Sequence, residues 1–139
     1  MAATTTASAF SFQTWNSGPF SMDRGPGKEP GTVVLRFHGP FTLRDVYSCL
    51  PTMTWNKMLE MAPEPGEQAP VKNILDLSDC TYVDSSGLGL IAKHFAHCQK
   101  IGVRMITCGM RPRVREVFKI TKMDTVIPHV ATIEEAEAS

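Results

Sequence analysis

Residues 73–108 read NILDLSDCTYVDSSGLGLIAKHFAHCQKIGVRMITC, and the change of apolar period along them decides the fold. Asn73–Leu77 is a short, β-rich, apolar run of the kind buried on both faces of a sheet. Tyr82 and Val83 then lead into Asp84. From Ser86 to Lys100 the apolar residues Leu88, Ile91, Phe95 and Cys98 fall on one helical stripe, flanked by Ala92 and Ala96. Gly102 supplies the left-handed residue that closes a helix. Val103–Cys108 returns to strand character. A strand, an amphipathic crossover helix and a second strand within so short a span define a parallel pairing.

On the C-terminal side, Pro112 suits the first turn of a further helix whose apolar face is Val114, Val117 and Phe118. Thr125–Val130 reads as an edge strand because of Pro128. Thr132 caps a short acidic helix, Ile133–Ala138. On the N-terminal side, Thr32–His38 (TVVLRFH) is a strand ended by Gly39-Pro40. Thr42 is a helix N-cap, with Asp45 in the first turn and Leu43, Val46, Tyr47 and Leu50 at helical spacing. Pro51 breaks that helix, a second piece runs about Thr52–Met61, and 63–70 is a polar loop. Residues 1–31 read as an arm: Ala/Thr/Ser-rich to Ala9, a short strand over Ala9–Trp15, and a Gly/Pro-rich loop over Asn16–Gly31. Residues 32–139 read as one domain. The expected class is α/β: a mixed sheet of about five strands with about four helices packed mainly on one side, the first two strands antiparallel.

Composition narrows the function. The 139 residues carry 14 basic and 14 acidic side chains, so no global field draws the chain to nucleic acid or to an anionic membrane. No apolar run approaches the roughly 18 residues of a membrane span, and the N-terminus lacks a secretory pattern. The four cysteines, Cys49, Cys80, Cys98 and Cys108, form no CxxC pair. They read as reduced thiols, and the expected location is cytoplasmic.

The candidate site is Asp84-Ser85-Ser86-Gly87-Leu88-Gly89. The carboxyl end of a strand in an α/β fold is where reactive groups are presented. The helix start that follows offers unpaired N–H groups and a positive dipole end. A hydroxyl there is exposed, a phosphate there meets ready donors, and Gly87 and Gly89 remove side chains that would block approach. The same four-residue pattern also serves as plain helix capping.

Other constellations are poorer. A serine hydrolase would pair Ser85 or Ser86 with His94 or His97, but His94 lies about 12 Å from Ser86 along a helix axis, too far for a triad. His94 and Cys98, four apart, have metal-ligand spacing, but no third and fourth ligand is evident beyond a distant Cys80. Cys98 on the apolar stripe with both histidines at its wet border explains them. Arg111, Arg113, Arg115, Lys119 and Lys122 make the late helix basic, either as a solvated face or as a rim for an acidic partner. The aromatic platform of a nucleic-acid binder is absent.

The run from Leu75 to Ile127, with YVDSSGLGLI, Ile101-Gly102, the strand Val103–Cys108 and the Pro112 helix, resembles the STAS domain, the sulfate transporter and anti-sigma-factor antagonist family. TVVLRFHG resembles the family's early strand, so the likeness spans about Thr32 to Val130. In the antagonist branch the Ser directly after Asp is phosphorylated, which by position is Ser85, with Ser86 as runner-up. The resemblance implies an anti-sigma-factor antagonist of bacterial partner switching, without cofactor, metal or enzymatic activity. By that resemblance it would bind an anti-sigma factor with serine-kinase activity and be released by phosphorylation until a phosphatase resets it. It implies no direct contact with nucleic acid and no membrane insertion. Thr42, Asp84, Ser86, Gly87 and Leu88 would form the contact surface. The antagonists usually carry an acidic residue two or three positions after their early Gly, where this chain has Gly39-Pro40-Phe41-Thr42. Two alternatives are a non-phosphorylated STAS scaffold or subunit of a transporter or stress-signalling complex, and a weak nucleotide-binding module lacking a Walker-type loop.

Overall fold

The computed structural model describes residues 13–17, 19–42, 66 and 68–139. Six strands form one sheet in chain order. β1 (Gln13–Ser17), β2 (Phe20–Pro26) and β3 (Thr32–Phe41) are antiparallel. β3, β4 (Lys72–Val83), β5 (Arg104–Cys108) and β6 (His129–Val130) are parallel. Three α-helices follow β4, β5 and β6: α1 (Ser85–Ile101), α2 (Pro112–Ile120) and α3 (Ile133–Ala138). The mixed α/β architecture is the one expected, with one strand more among the described residues. The helical segments read over 43–61 lie outside the described residues.

Alternation along the strands sends side chains to two cores. Val33, Leu35, Phe37, Leu75, Leu77 and Met105 face α1 and α2, meeting Leu88, Ile91, Phe95, Cys98, Val114 and Phe118. Val34, Ile74, Ile106 and Cys108 face the other way and meet Ala136, with Ile133 packed alongside. The larger helical layer is thus on one side, and the short α3 covers part of the other.

Four expectations about the strands are corrected. The segment read as a loop over 16–31 contains β2. Phe20 and Met22 alternate with Ser21 and Asp23, and both are fully buried. That period of two outweighs the glycines and prolines, which gather where β2 ends and turns into β3. Gly39-Pro40 does not end β3. Gly39 takes φ +79° and the pairing with β4 shifts register there, so the strand bends and continues to Phe41. β4 runs well past Leu77. Leu77, Cys80 and Val83 are all fully buried at spacings of three, while Ser78 and Asp79 point out. A bulge resets the alternation, which a period of two cannot reveal. The last strand is only His129–Val130, preceded by a 3₁₀ turn at Met123–Thr125.

His94 departs from its expected wet border. It is buried, with Nε2 2.7 Å from Asn73 Oδ1, and Asn73 Nδ2 donates to the Val33 carbonyl at 3.0 Å. Helix α1 is therefore tied by side chains to β4, and β4 to β3. Burial, helped by the charge of His97, pushes the His94 pKa down to about 4. The unfolded chain then takes up a proton that the folded one refuses, so stability falls as pH drops from about 6.5 toward 4, by on the order of 3 kcal/mol. Denaturant titrations at pH 7 and pH 4.5 should show this loss. His94→Gln should be less stable at pH 7 but lose less between the two pH values.

Candidate functional site

β3 and β4 end together, with Phe41 opposite Val83. Their continuations, Thr42 and Asp84, therefore share one edge of the sheet, and the Asp84 N–H donates to the Phe41 carbonyl at 3.4 Å. Asp84 is extended, at φ −89° and ψ 179°, and its Oδ1 accepts the Gly87 N–H at 2.7 Å. Its carbonyl accepts the Leu88 N–H at 2.9 Å. Asp84 is thus an N-cap with its carboxylate turned onto the helix it starts. Ser85 is the first residue of α1 and is exposed, and Ser86 is half-buried.

The two glycines have separate physical roles. A Cβ on Gly87 would stand 2.3 Å from the Phe41 carbonyl oxygen and 3.0 Å from its ring. Gly87 is buried and is required by the close approach of α1 to β3, not by an incoming ligand. A Cβ on Gly89 would meet nothing within 4 Å, and Gly89 is exposed. Leu88, expected on the contact surface, is 4% exposed and belongs to the core. The structure therefore gathers Thr42, Asp84, Ser85 and Ser86 at the accessible edge and places Gly87 and Leu88 beneath it.

Two supports were not legible in the sequence. Phe41 is clasped by Phe20 and Phe37, with ring centroids 5.0 and 4.9 Å away, so the residue against which Gly87 rests is fixed by aromatic packing. The second support is a charged chain. His38 Nδ1 lies 2.6 Å from Asp79 Oδ2 and its Nε2 lies 2.8 Å from Asp23 Oδ2. Arg111 joins it, with Nη2 3.3 Å from Asp79 Oδ1 and Nε donating to the Ser78 carbonyl at 2.9 Å. Partial burial opposes charge on His38, but the hydrogen bonds to Asp79 and Asp23 outweigh it and raise its pKa. His38 thus adds stability that is present below about pH 6.5 and lost as pH rises through its raised value. The only signal would have been His38 on a strand with one acid before it, Asp23, and one after it, Asp79, which spacing alone does not connect.

The competing chemistries do not assemble. His94 packs on Asn73 at the start of β4, whereas Ser85 follows its end. Cys98 Sγ is 3.6 Å from His94 Nε2, but Cys80 lies seven residues along β4 from Asn73, roughly 23 Å in extended chain. Among the described residues no group of three candidate metal ligands occurs. Burial pushes the thiols of Cys80 and Cys98 up to about 11 and that of Cys108 to about 12, so they are protonated and poor nucleophiles at neutral pH. Among the described residues no helix is long and apolar enough to cross a membrane.

Ser85 thus stands exposed at a helix start just past the point where two parallel strands end. The family model described as the STAS domain matches residues 28–136, and the chain belongs to that family. A Bordetella bronchiseptica protein, BtrV, provisionally named an anti-sigma factor antagonist, is 32% identical over 66 residues. That match spans 48% of this chain and 56% of BtrV, so the chain matches little more than half the length of this relative. An anti-sigma factor antagonist structure from Thermotoga maritima, so described provisionally, superposes with a TM-score of 0.61 at 19% identity, covering 91% of this chain and 90% of that one. The anti-sigma factor antagonist SpoIIAA in its unphosphorylated form gives 0.57 at 19% identity, covering 90% and 92%. A sulfate transporter family protein from Wolinella succinogenes gives 0.59 at 17% identity, covering 78% and 83%. At these identities the structures share the fold, which both branches of the family use.

Replacing Gly87 with Ala should force α1 away from Phe41 and cost about 1–3 kcal/mol. Gly89→Ala should be neutral or stabilising by up to about 1 kcal/mol, as for any open helical glycine. Thermal melts of the two variants check the contrast.

Proposed function

We propose that this protein is an anti-sigma-factor antagonist that docks its Thr42–Asp84–Ser85–Ser86 edge on an anti-sigma factor with serine-kinase activity and is released when Ser85 is phosphorylated. A phosphatase resets it. The setting is bacterial and cytoplasmic, with no direct hold on nucleic acid and no insertion into a membrane. The observation that carries the reading is the exposure of Ser85 on a helix start whose neighbours are locked in place. Gly87 and Leu88 shape the surface from below, and Ser86, half-buried, is the lesser acceptor.

The charge balance supports a switch of this kind. Phosphorylation adds about −1.5 to −2 charge and three acceptor oxygens. In the free protein the dipole end of α1 favours that charge, typically by about 0.3–1 kcal/mol at an exposed site. A partner surface that had covered a neutral hydroxyl must instead desolvate a dianion. A difference of about 2.7 kcal/mol weakens binding a hundredfold, so the switch needs no rearrangement of the fold. The names of BtrV and SpoIIAA agree with this reading. A second reading, a STAS subunit or scaffold without phosphorylation, draws on the transporter-family neighbour and on Gly39-Pro40-Phe41-Thr42, which lacks the acidic residue usual in antagonists.

Incubation with the cognate kinase and ATP should place one phosphate on Ser85, read by mass spectrometry. Ser85→Ala should take up none, and Ser85→Asp should bind the kinase at least tenfold more weakly. Equal labelling of Ser85→Ala would remove the assignment and favour the scaffold reading.

A further inference from the structure

We propose that α2 forms the second half of the docking surface, and that the partner surface it receives is acidic around an apolar centre. This rests on the partner-switching reading and adds to it the chemistry of the partner. Between Arg111 and Lys122 stand five cations and a single acid, Glu116, in a chain whose net charge is zero. All five cations are exposed. Val114 and Phe118 hold the inner face of α2. At 100° per residue, Arg115 and Lys119 then share one outer row, while Arg113 and Ile120 share the other. Among the described residues the side chains of Arg115, Lys119 and Lys122 make no salt bridge or hydrogen bond. Ile120 is 73% exposed and nearby Val126 55%, the two highest values for large apolar residues among those described.

This face begins at the serine edge. Arg111 is bonded to Ser78 and Asp79, and the Arg113 guanidinium lies 4.9 Å from the centre of the Tyr82 ring. Tyr82 is in the strand end that runs into Asp84 and Ser85. From there α2 extends for about 13 Å, well within an ordinary interface of about 800 Å² per partner.

The sign of the switch selects the sign of the partner. If the partner's surface were basic, its attraction for a phosphate on Ser85 would offset the desolvation that drives release. An off-switch by phosphate is therefore strongest where the surface that meets this edge is neutral or acidic. The cations of α2 leave only the acidic one, because a neutral apolar surface would strip water from them without compensation. Carboxylates on the partner would satisfy Arg113, Arg115 and Lys119, and an apolar side chain would cover Ile120. A dianion on Ser85 then acts twice in one direction: it repels those carboxylates and weakens the field that attracts them.

The test uses the full chain and the kinase-type anti-sigma factor from the source organism, identified by mass spectrometry and purified. Its affinity is measured by calorimetry at 50 and 300 mM salt. Arg115→Glu/Lys119→Glu, which removes no hydrogen bond or salt bridge among the described residues, should weaken binding at least tenfold at low salt and flatten the salt dependence. Ile120→Ser should weaken it severalfold with the salt slope unchanged. Melting temperatures near that of the wild type show that the variants fold. If the double reversal leaves the affinity within twofold while Ser85→Asp weakens it strongly, the α2 surface is overturned and the serine switch stands. If the reversal weakens binding and Ser85→Asp does not, the α2 surface stands and the switch falls. A wild type that binds no such partner overturns both.

Discussion

The contact between Gly87 and the end of β3 is the constraint on which the functional edge depends. The first turn of α1 comes so close to the Phe41 carbonyl that a Cβ at Gly87 would stand 2.3 Å from it. That approach is possible only because one residue lacks a side chain, and it fixes where the preceding serines emerge. Phe41 in turn cannot retreat, being fully buried against Phe20 and Phe37. Asp84 completes the arrangement by capping the helix from the adjoining strand. Ser85 is then held out to solvent by groups that are themselves packed, so a modification there need not disturb the domain that carries it.

The remainder of the fold holds that edge from both ends of β4. Near its start, Asn73 links His94 of α1 to the Val33 carbonyl of β3. Past its middle, Asp79 stands out at the bulge and gathers His38 and, through Arg111, the start of α2. The two histidines have opposite preferences: His94 is held neutral by burial and His38 charged by its carboxylates. Each link requires its own protonation state, so the domain is tied together best between the two titrations.

The sequence was most legible where one period ran uninterrupted. The stripe Leu88, Ile91, Phe95 and Cys98 is the buried face of α1, and Gly102 closes it in the left-handed conformation, at φ 79°. Thr132 caps α3 as its position suggested, accepting the Glu135 N–H at 3.1 Å. Legibility failed where two signals competed. Phe20 and Met22 alternate as a strand should, but Pro19, Gly25, Pro26 and Gly27 surround them and dominate a compositional reading. At Leu77, Cys80 and Val83 the bulge replaces a period of two by a spacing of three. At the site, the motif showed where the serines lie but not why each glycine is there. Gly87 and Gly89 look alike in sequence, and only tertiary packing separates a glycine that a neighbouring backbone demands from one facing open solvent.

The balance of charges bears on how such an edge can act. The chain is neutral overall, with a local excess of cations on and around α2 and of acids on α3. Without a large net field, one added dianion is a major electrostatic change, yet salt confines it: at physiological ionic strength the screening length is about 8 Å. A phosphate on Ser85 therefore acts strongly on what touches the Thr42–Ser86 edge and the adjoining first turn of α2, and weakly on α3, which packs on the opposite face of the sheet. A switch built this way must work by contact. On α2 the cation placed to feel such a phosphate most is then Arg113, stacked on Tyr82 at the strand end that runs into Asp84 and Ser85, while cations further along the helix contribute to partner attraction with less dependence on the state of the serine.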